Sequence, residues 1–139
     1  MRITAVSERS APTPEAIVSK QIKDYMVARG WRPIRMQRGL YSGPATTFSS
    51  GEPGMPDYLF LRAIEGDKIG VMAGLWVEMK RPGGKLKKHQ PEWHARERLR
   101  GFPVWVTDDL DSFMAAYEKN FSWLHDGSTR GQIDLLAGL

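Results

Sequence analysis

Two apolar runs joined by one short turn constrain this chain more than anything else in it. Residues 57–64 (DYLFLRAI) and 69–79 (IGVMAGLWVEM) are dominated by aromatic, branched and other large apolar side chains, with Glu65-Gly66-Asp67 between them. Runs of this length bounded by turn residues read as strands, and a glycine-containing turn between two such runs reads as a hairpin. Side chains alternate across a strand, so Glu78 and Lys80 project to one side while Leu75, Val77 and Met79 project to the other. If the two runs pair, Asp57 at the start of the first lies at the same end as Glu78 near the close of the second.

The flanking chain supplies partners for this hairpin. Thr13 reads as a helix N-cap with Pro14 at the first helical position. Val18, Ile22, Tyr25 and Met26 follow at helical spacing, and Gly30 stops the helix. Glu15 precedes Val18 by three and Ile22 by seven, which puts its carboxylate on the apolar stripe. An acid facing a core needs a partner or a cation, and the other reading is that Glu15 complements the helix N-terminus. Residues 31–37 form the next expected strand, and residues 38–54 a long, irregular polar loop of functional or mobile character. A helix over residues 88–100 must hold Pro91 in its first turn and ends at Gly101. A short strand over residues 102–106 follows. Asp108 and Asp109 then open a helix to about Lys119, with Leu110, Phe113, Met114 and Tyr117 along one side.

The expected order is α, β, β, β, α, β, α, and the expected fold class is α/β, a mixed sheet flanked by helices. Residues 1–12 read as a flexible arm and residues 13–120 as the domain. Residues 121–139, with Phe121, Trp123 and an amphipathic stretch at 133–136, read as a tail packing on the core or on a partner subunit. No internal repeat or low-complexity tract interrupts this plan.

Composition narrows the chemistry. At 139 residues the chain suits one domain with a real core. It has no cysteine, which excludes disulfides and thiolate metal sites and suits the cytoplasm. Three histidines, His89, His94 and His125, would nearly all be needed for an imidazole zinc site, so oxygen ligands and a hard cation are expected. No apolar run nears the roughly 18 residues of a membrane helix, and the first residues lack a secretory apolar segment. The net charge of +4 favours an anionic partner such as nucleic acid. Its placement says more than its size: Lys80, Arg81, Lys85, Lys87, Lys88 and His89 surround the Pro82-Gly83-Gly84 turn. Arg35, Arg38 and Tyr41 are further candidates for a phosphate backbone.

Asp57 and Glu78 together offer an oxygen-rich site for Mg2+ or Mn2+, which needs only one or two carboxylates and keeps several waters. Such a cation can acidify a bound water and neutralise charge on a scissile phosphate. Lys80 stands where it can orient that water, help to deprotonate it, or stabilise the charge that develops. A Glu-X-Lys tripeptide alone is common and fits an ordinary strand surface equally well.

The wider pattern is more specific. Gly54-Met55-Pro56-Asp57, Glu78-Met79-Lys80, the Pro-Gly-Gly-Lys loop, Gln90 with Trp93, and Gly101 before an apolar strand resemble the VRR-NUC family of the PD-(D/E)XK nuclease superfamily. The resemblance covers residues 14–107, and Glu15 stands where a first-helix glutamate of that family belongs. It implies a restriction-endonuclease-like core and a metal-dependent deoxyribonuclease. Asp57, Glu78 and the Met79 carbonyl would hold the metal, Lys80 would act at the attacking water, and Glu15 would hold a second metal or a metal-bound water. Gln90 would orient the lysine or the substrate phosphate, with one or two ions at the site. Arg35, Arg38, Arg81, Lys85, Lys87 and Lys88 become the DNA-contacting set. Stand-alone, phage-type domains of this kind imply a homodimer acting on branched DNA such as four-way junctions or flaps, in the host cytoplasm. Lys87 and Lys88 replace the Ser/Thr and Pro that often open the glutamine-bearing helix, which loses a cap and adds phosphate affinity. Alternative readings are a linear-duplex endonuclease or exonuclease of the same fold, or a non-catalytic nucleic-acid-binding module. Retention of Asp57, Glu78 and Lys80 together weighs against the last.

Overall fold

A computed structural model describes residues 11–36, 40–42, 47–49, 52–64, 72–126 and 135. Helix α1 (Pro14–Ala28) starts as the sequence dictates. Thr13 is extended, its Oγ1 accepts from Ala16 N at 3.1 Å, and Pro14 sits in the first turn. Val18, Ile22 and Met26 are its buried row, and Gly30 leaves the helix at φ +91°.

Strand β1 (Arg32–Arg35) follows, then β2 (Leu40–Ser42), β3 (Thr47–Ser49), β4 (Tyr58–Ala63) and β5 (Met72–Met79). Helix α2 (Gln90–Leu99), strand β6 (Val104–Thr107), helix α3 (Leu110–Phe121) and the single turn α4 (Trp123–Asp126) complete the order. The expected order was short by two strands and one helical turn. Residues 38–54 are not an irregular loop throughout, because β2 and β3 pair antiparallel with Tyr41 opposite Phe48. Strands of three residues carry too little alternation to be read among glycines and serines. The turn at Glu65-Gly66-Asp67 and residues 1–10 lie outside the described residues, as does the 133–136 stretch apart from Leu135.

The main sheet has the order β1-β4-β5-β6. β1, β4 and β5 run antiparallel, and β6 runs parallel to β5, with Glu78 opposite Val106. The chain is thus mixed α/β, a four-stranded mixed sheet flanked by helices. Registration of Tyr58 with Val77 and Phe60 with Leu75 sorts the side chains onto two faces. Phe60, Leu75, Val77 and Met79 join Ile22, Met26, Phe113, Tyr117 and Phe121 in the larger core, under α1 and α3. The opposite face carries Trp76, and α2 covers it: Trp93 meets Trp76 edge-on at 5.1 Å and packs with Met55 and Val104. Phe121 is buried and Trp123 packs partly against the larger core, while Leu135 O accepts from Val104 N at 3.0 Å. Among the described residues, no helix is long and apolar enough to cross a membrane.

One close approach fixes the segment that delivers Asp57. Gly54 has φ +91°, and a Cβ there would stand 2.1 Å from His89 O and 2.9 Å from Trp93 Cβ. The backbone before Asp57 is therefore pressed directly against the start of α2, which only glycine permits. Gly83, at φ +75°, would meet nothing within 4 Å, so a side chain there carries the conformational cost alone. Gly83→Ala is expected to lower stability by about 1–2 kcal/mol, and Gly54→Ala by clearly more because backbone must move as well. Urea unfolding of both variants checks this, and equal losses contradict the close packing.

Candidate active site

The ladder that pairs Tyr58 with Val77 continues by one residue to bring Asp57 against Glu78, at the carboxyl end of β5 and beside that of β6. Asp57 is held through its backbone, whose carbonyl accepts from Met36 N at 2.8 Å. Its Oδ2 reaches Met79 N at 3.4 Å, a long contact. Lys80 N donates to Thr107 O at 2.8 Å, extending the parallel ladder past the strand end. Glu78 and Lys80 project to the same side, Nζ lying 3.6 Å from Oε2.

Burial sets the electrostatics here. Glu78 is 2% exposed and Lys80 4%. Glu78 Oε1 is buried with no hydrogen-bond partner. Desolvation first, then the charge and contact of Asp57, push the Glu78 carboxyl up to about 8, and the pull of Lys80 in the other direction is outweighed. A buried acid with an orphaned oxygen and a second carboxylate beside it is an arrangement that a cation relieves. The donor set of Asp57, Glu78 and the Met79 carbonyl fits a hard divalent ion, which asks for few protein ligands. Among the described residues, no group of three or more His, Asp or Glu side chains converges as a metal cluster. Glu15 accordingly does not form a third carboxylate with Asp57 and Glu78.

Nor does Glu15 face the core, as its helical position suggested. It is exposed, and the first buried residue of α1 is Val18. The opening turn of the helix overhangs the core, so the apolar stripe there has nothing to cover. Glu15 instead shares a cleft of about 630 Å³ with Thr13, Lys80, Arg81, Lys85 and Lys87. This cleft is the basic mouth of the site.

The basic loop between β5 and α2 is stapled at both ends. Gly83 N donates to Asp108 Oδ2 at 2.9 Å, Gly84 N closes a turn onto Arg81 O at 2.7 Å, and Lys87 N donates to Gln90 Oε1 at 2.6 Å. Gln90 is buried, and its carbonyl oxygen accepts from loop backbone. His89 takes the N-cap position without a side-chain cap bond, and Gln90 N donates to Lys87 O at 3.0 Å. Arg81, Lys85, Lys87 and Lys88 are all exposed. Arg35 is exposed on β1 opposite Tyr58, at the same end of the sheet as the acids. Arg38 lies outside the described residues.

Two side chains escaped the sequence reading. Asp108 was read as a helix opener, whereas Asp109 is the cap of α3 and Asp108 turns to the loop. His94 is fully buried on α2 with neither ring nitrogen hydrogen-bonded. Burial first, then the charges of Arg98 and Lys80, push it down to about 4, against a weaker opposing pull from the Gly54 backbone. Its spacing of four from Gln90 was the only available signal.

Comparison of the chain with models of known protein families, with curated proteins and with solved structures returned no match.

A raised carboxyl pKa has a definite sign in stability. The unfolded Glu78 ionises near 4.5, the folded one at about 8, so the folded state loses stability as pH rises between those values. Glu78→Gln removes that loss. Its stability relative to the metal-free wild type should improve with pH above about 4.5, by roughly 1 kcal/mol per pH unit, and level off past pH 8. Urea midpoints at several pH values read this difference directly, and a constant gap refutes the buried, protonated carboxyl.

Proposed function

We propose that this chain is a metal-dependent DNA endonuclease with a restriction-endonuclease-like core of the VRR-NUC kind. The observation that carries the reading is the convergence of Asp57, buried Glu78 with its orphaned oxygen, and buried Lys80 at the edge of a basic cleft. The stapled loop supports it further, because Arg81, Lys85 and Lys87 are held beside Lys80 by backbone-directed bonds.

Asp57, Glu78 and the Met79 carbonyl would hold Mg2+ or Mn2+, which supplies charge neutralisation and an acidified water when bound. The remaining work belongs to the chain. Lys80, almost wholly out of solvent, presents its ammonium at the point where negative charge accumulates on the phosphate. Arg81, Lys85, Lys87 and Lys88 bind the phosphate backbone, and Arg35 extends this basic surface along the sheet edge. Glu15, at the cleft mouth opposite those cations, orients water or a second cation there. Branched DNA is the substrate favoured by the family resemblance, with a homodimer presenting two such sites, and the location is the cytoplasm, that of the host if the protein is phage-encoded.

Purified protein incubated with linear, flapped and four-way-junction DNA should cut only when Mg2+ or Mn2+ is added. Asp57→Ala and Lys80→Ala should each lower the rate by at least about a hundredfold, the loss of one charged transition-state partner. Uncut DNA on every substrate, or cutting by both variants at the wild-type rate, refutes the enzyme. A salt-dependent mobility shift without cutting identifies a binding module instead. Light scattering of the eluted protein tests the dimer, and a monomer at micromolar concentration refutes paired incision.

A further inference from the structure

A chain of hydrogen bonds with no part in the candidate active site lies toward the opposite end of the sheet, where Arg62 of β4 pairs with Ala73 near the start of β5. Trp31 Nε1 donates to Tyr117 Oη at 2.8 Å, and 2.7 Å separates that oxygen from His125 Nε2. Tyr117 is fully buried, while His125, on α4, is exposed. Burial pushes the phenol pKa up, so Tyr117 keeps its proton at neutral pH. That proton has one place to go. The oxygen already accepts from Trp31, and among the described residues His125 Nε2 is the remaining partner within reach. If Nε2 carried a proton instead, the buried hydroxyl proton would be left without an acceptor, a state that folded proteins avoid. Nε2 is therefore the acceptor, and the imidazole is neutral with its proton on Nδ1.

This arrangement depends on the charge of the ring. An imidazolium has two donors and no acceptor, so a proton on Nε2 sets two donors face to face. Because the ring is exposed, solvent protons reach it without any opening of the core. The charged groups that face it come from several elements: Arg29 at the end of α1, Arg62 on β4, Glu118 on α3 and Asp126 on α4. Burial first, then Arg62 and Arg29, lower the ring's pKa, and Glu118 and Asp126 pull less strongly the other way. The unfolded chain therefore takes up this proton at a higher pH than the folded one. The contribution to stability is present at neutral pH and is lost as pH falls below the ordinary histidine value. α4 carries more than this histidine. Its Trp123 lines an apolar cavity of about 630 Å³ beside Leu61, Met72, Trp76, Phe102 and Leu135. The bond from Tyr117 ties α4 back to a residue eight positions earlier, on α3.

We propose that the Tyr117–His125 hydrogen bond is a pH-operated latch: protonation of the exposed imidazole breaks it and releases α4, and with it Trp123, from the wall of the apolar cavity. With the ring neutral, the buried phenol holds α4 against α3. With the ring charged, the hydroxyl proton has no acceptor and the imidazolium is better served by water. The latch stands apart from the acids at the carboxyl end of β5, so it does not depend on the nuclease reading.

Long-range 1H–15N spectra of the 139-residue chain at pH 7 should show the His125 proton on Nδ1, the minor tautomer of histidine in water. In Tyr117→Phe the proton should revert mainly to Nε2. Native-state hydrogen exchange gives the second readout. His125 N and Asp126 N donate to Ser122 O at 2.9 and 3.1 Å, and Trp123 Nε1 donates to Asn120 O at 2.7 Å. Protection of these three groups should fall roughly three- to tenfold as the ring titrates, the effect of losing one neutral hydrogen bond. His125→Phe cannot be protonated and offers no acceptor, so it should show the lower protection at every pH, and comparison with it cancels the other titrating groups. A wild-type ring protonated on Nε2 at pH 7 overturns the proposal. So does protection that is equal on both sides of the ring's titration, or that falls with pH in His125→Phe as much as in wild type. If Tyr117→Phe does not fold, the wild-type tautomer and His125→Phe still decide between these outcomes.

Discussion

The placing of a buried carboxylate beside a second acid is the constraint on which the rest of this structure depends. Glu78 sits at the end of the central strand β5, with β4 on one side, β6 on the other and α2 above. An ionised carboxyl in that position is costly, and Asp57 beside it adds repulsion. Stability alone offers no reason for the pair, because apolar residues of similar volume would serve the sheet as well or better. The surrounding fold holds it nonetheless: Met36 fastens the Asp57 backbone, Thr107 extends the ladder to Lys80, and Gly54 lets the chain pass against α2.

The sheet topology explains why the site opens where it does. β5 and β6 are parallel, so the chain must cross from one end of the sheet to the other between them, by way of the basic loop and α2. That crossover leaves from the carboxyl end of β5, directly beside the acids. The Pro-Gly-Gly turn, the Asp108 staple and the Gln90 staple then hold the cations of the crossover next to Lys80. The N-terminal turn of α1 lines the same cleft through Thr13, Pro14 and Glu15.

The parts of this arrangement legible in the sequence are those governed by short-range geometry. Alternation along β5 put Glu78 and Lys80 on one side, and pairing of adjacent strands put Asp57 at their end. Thr13-Pro14 located the start of α1, Gly30 its end, and Pro91 the first turn of α2. Where a side chain's role depends on what stands opposite, the reading went astray. Glu15 shared a helical face with Val18 but lay beyond the edge of the core. β2 and β3 were too short to show a period.

The sequence by itself determined the central hairpin, the shared face of Glu78 and Lys80, and the clustering of positive charge after β5, because each follows from spacing along the chain. Only the tertiary structure decided that Glu78 and Lys80 are buried, that Glu15 is exposed, that Asp108 and Gln90 fasten the basic loop, and that His94 is buried on α2. Those features depend on desolvation and on contacts between elements distant in sequence. Their physical cause is the packing of α2 and the overhang of α1, which no local pattern encodes.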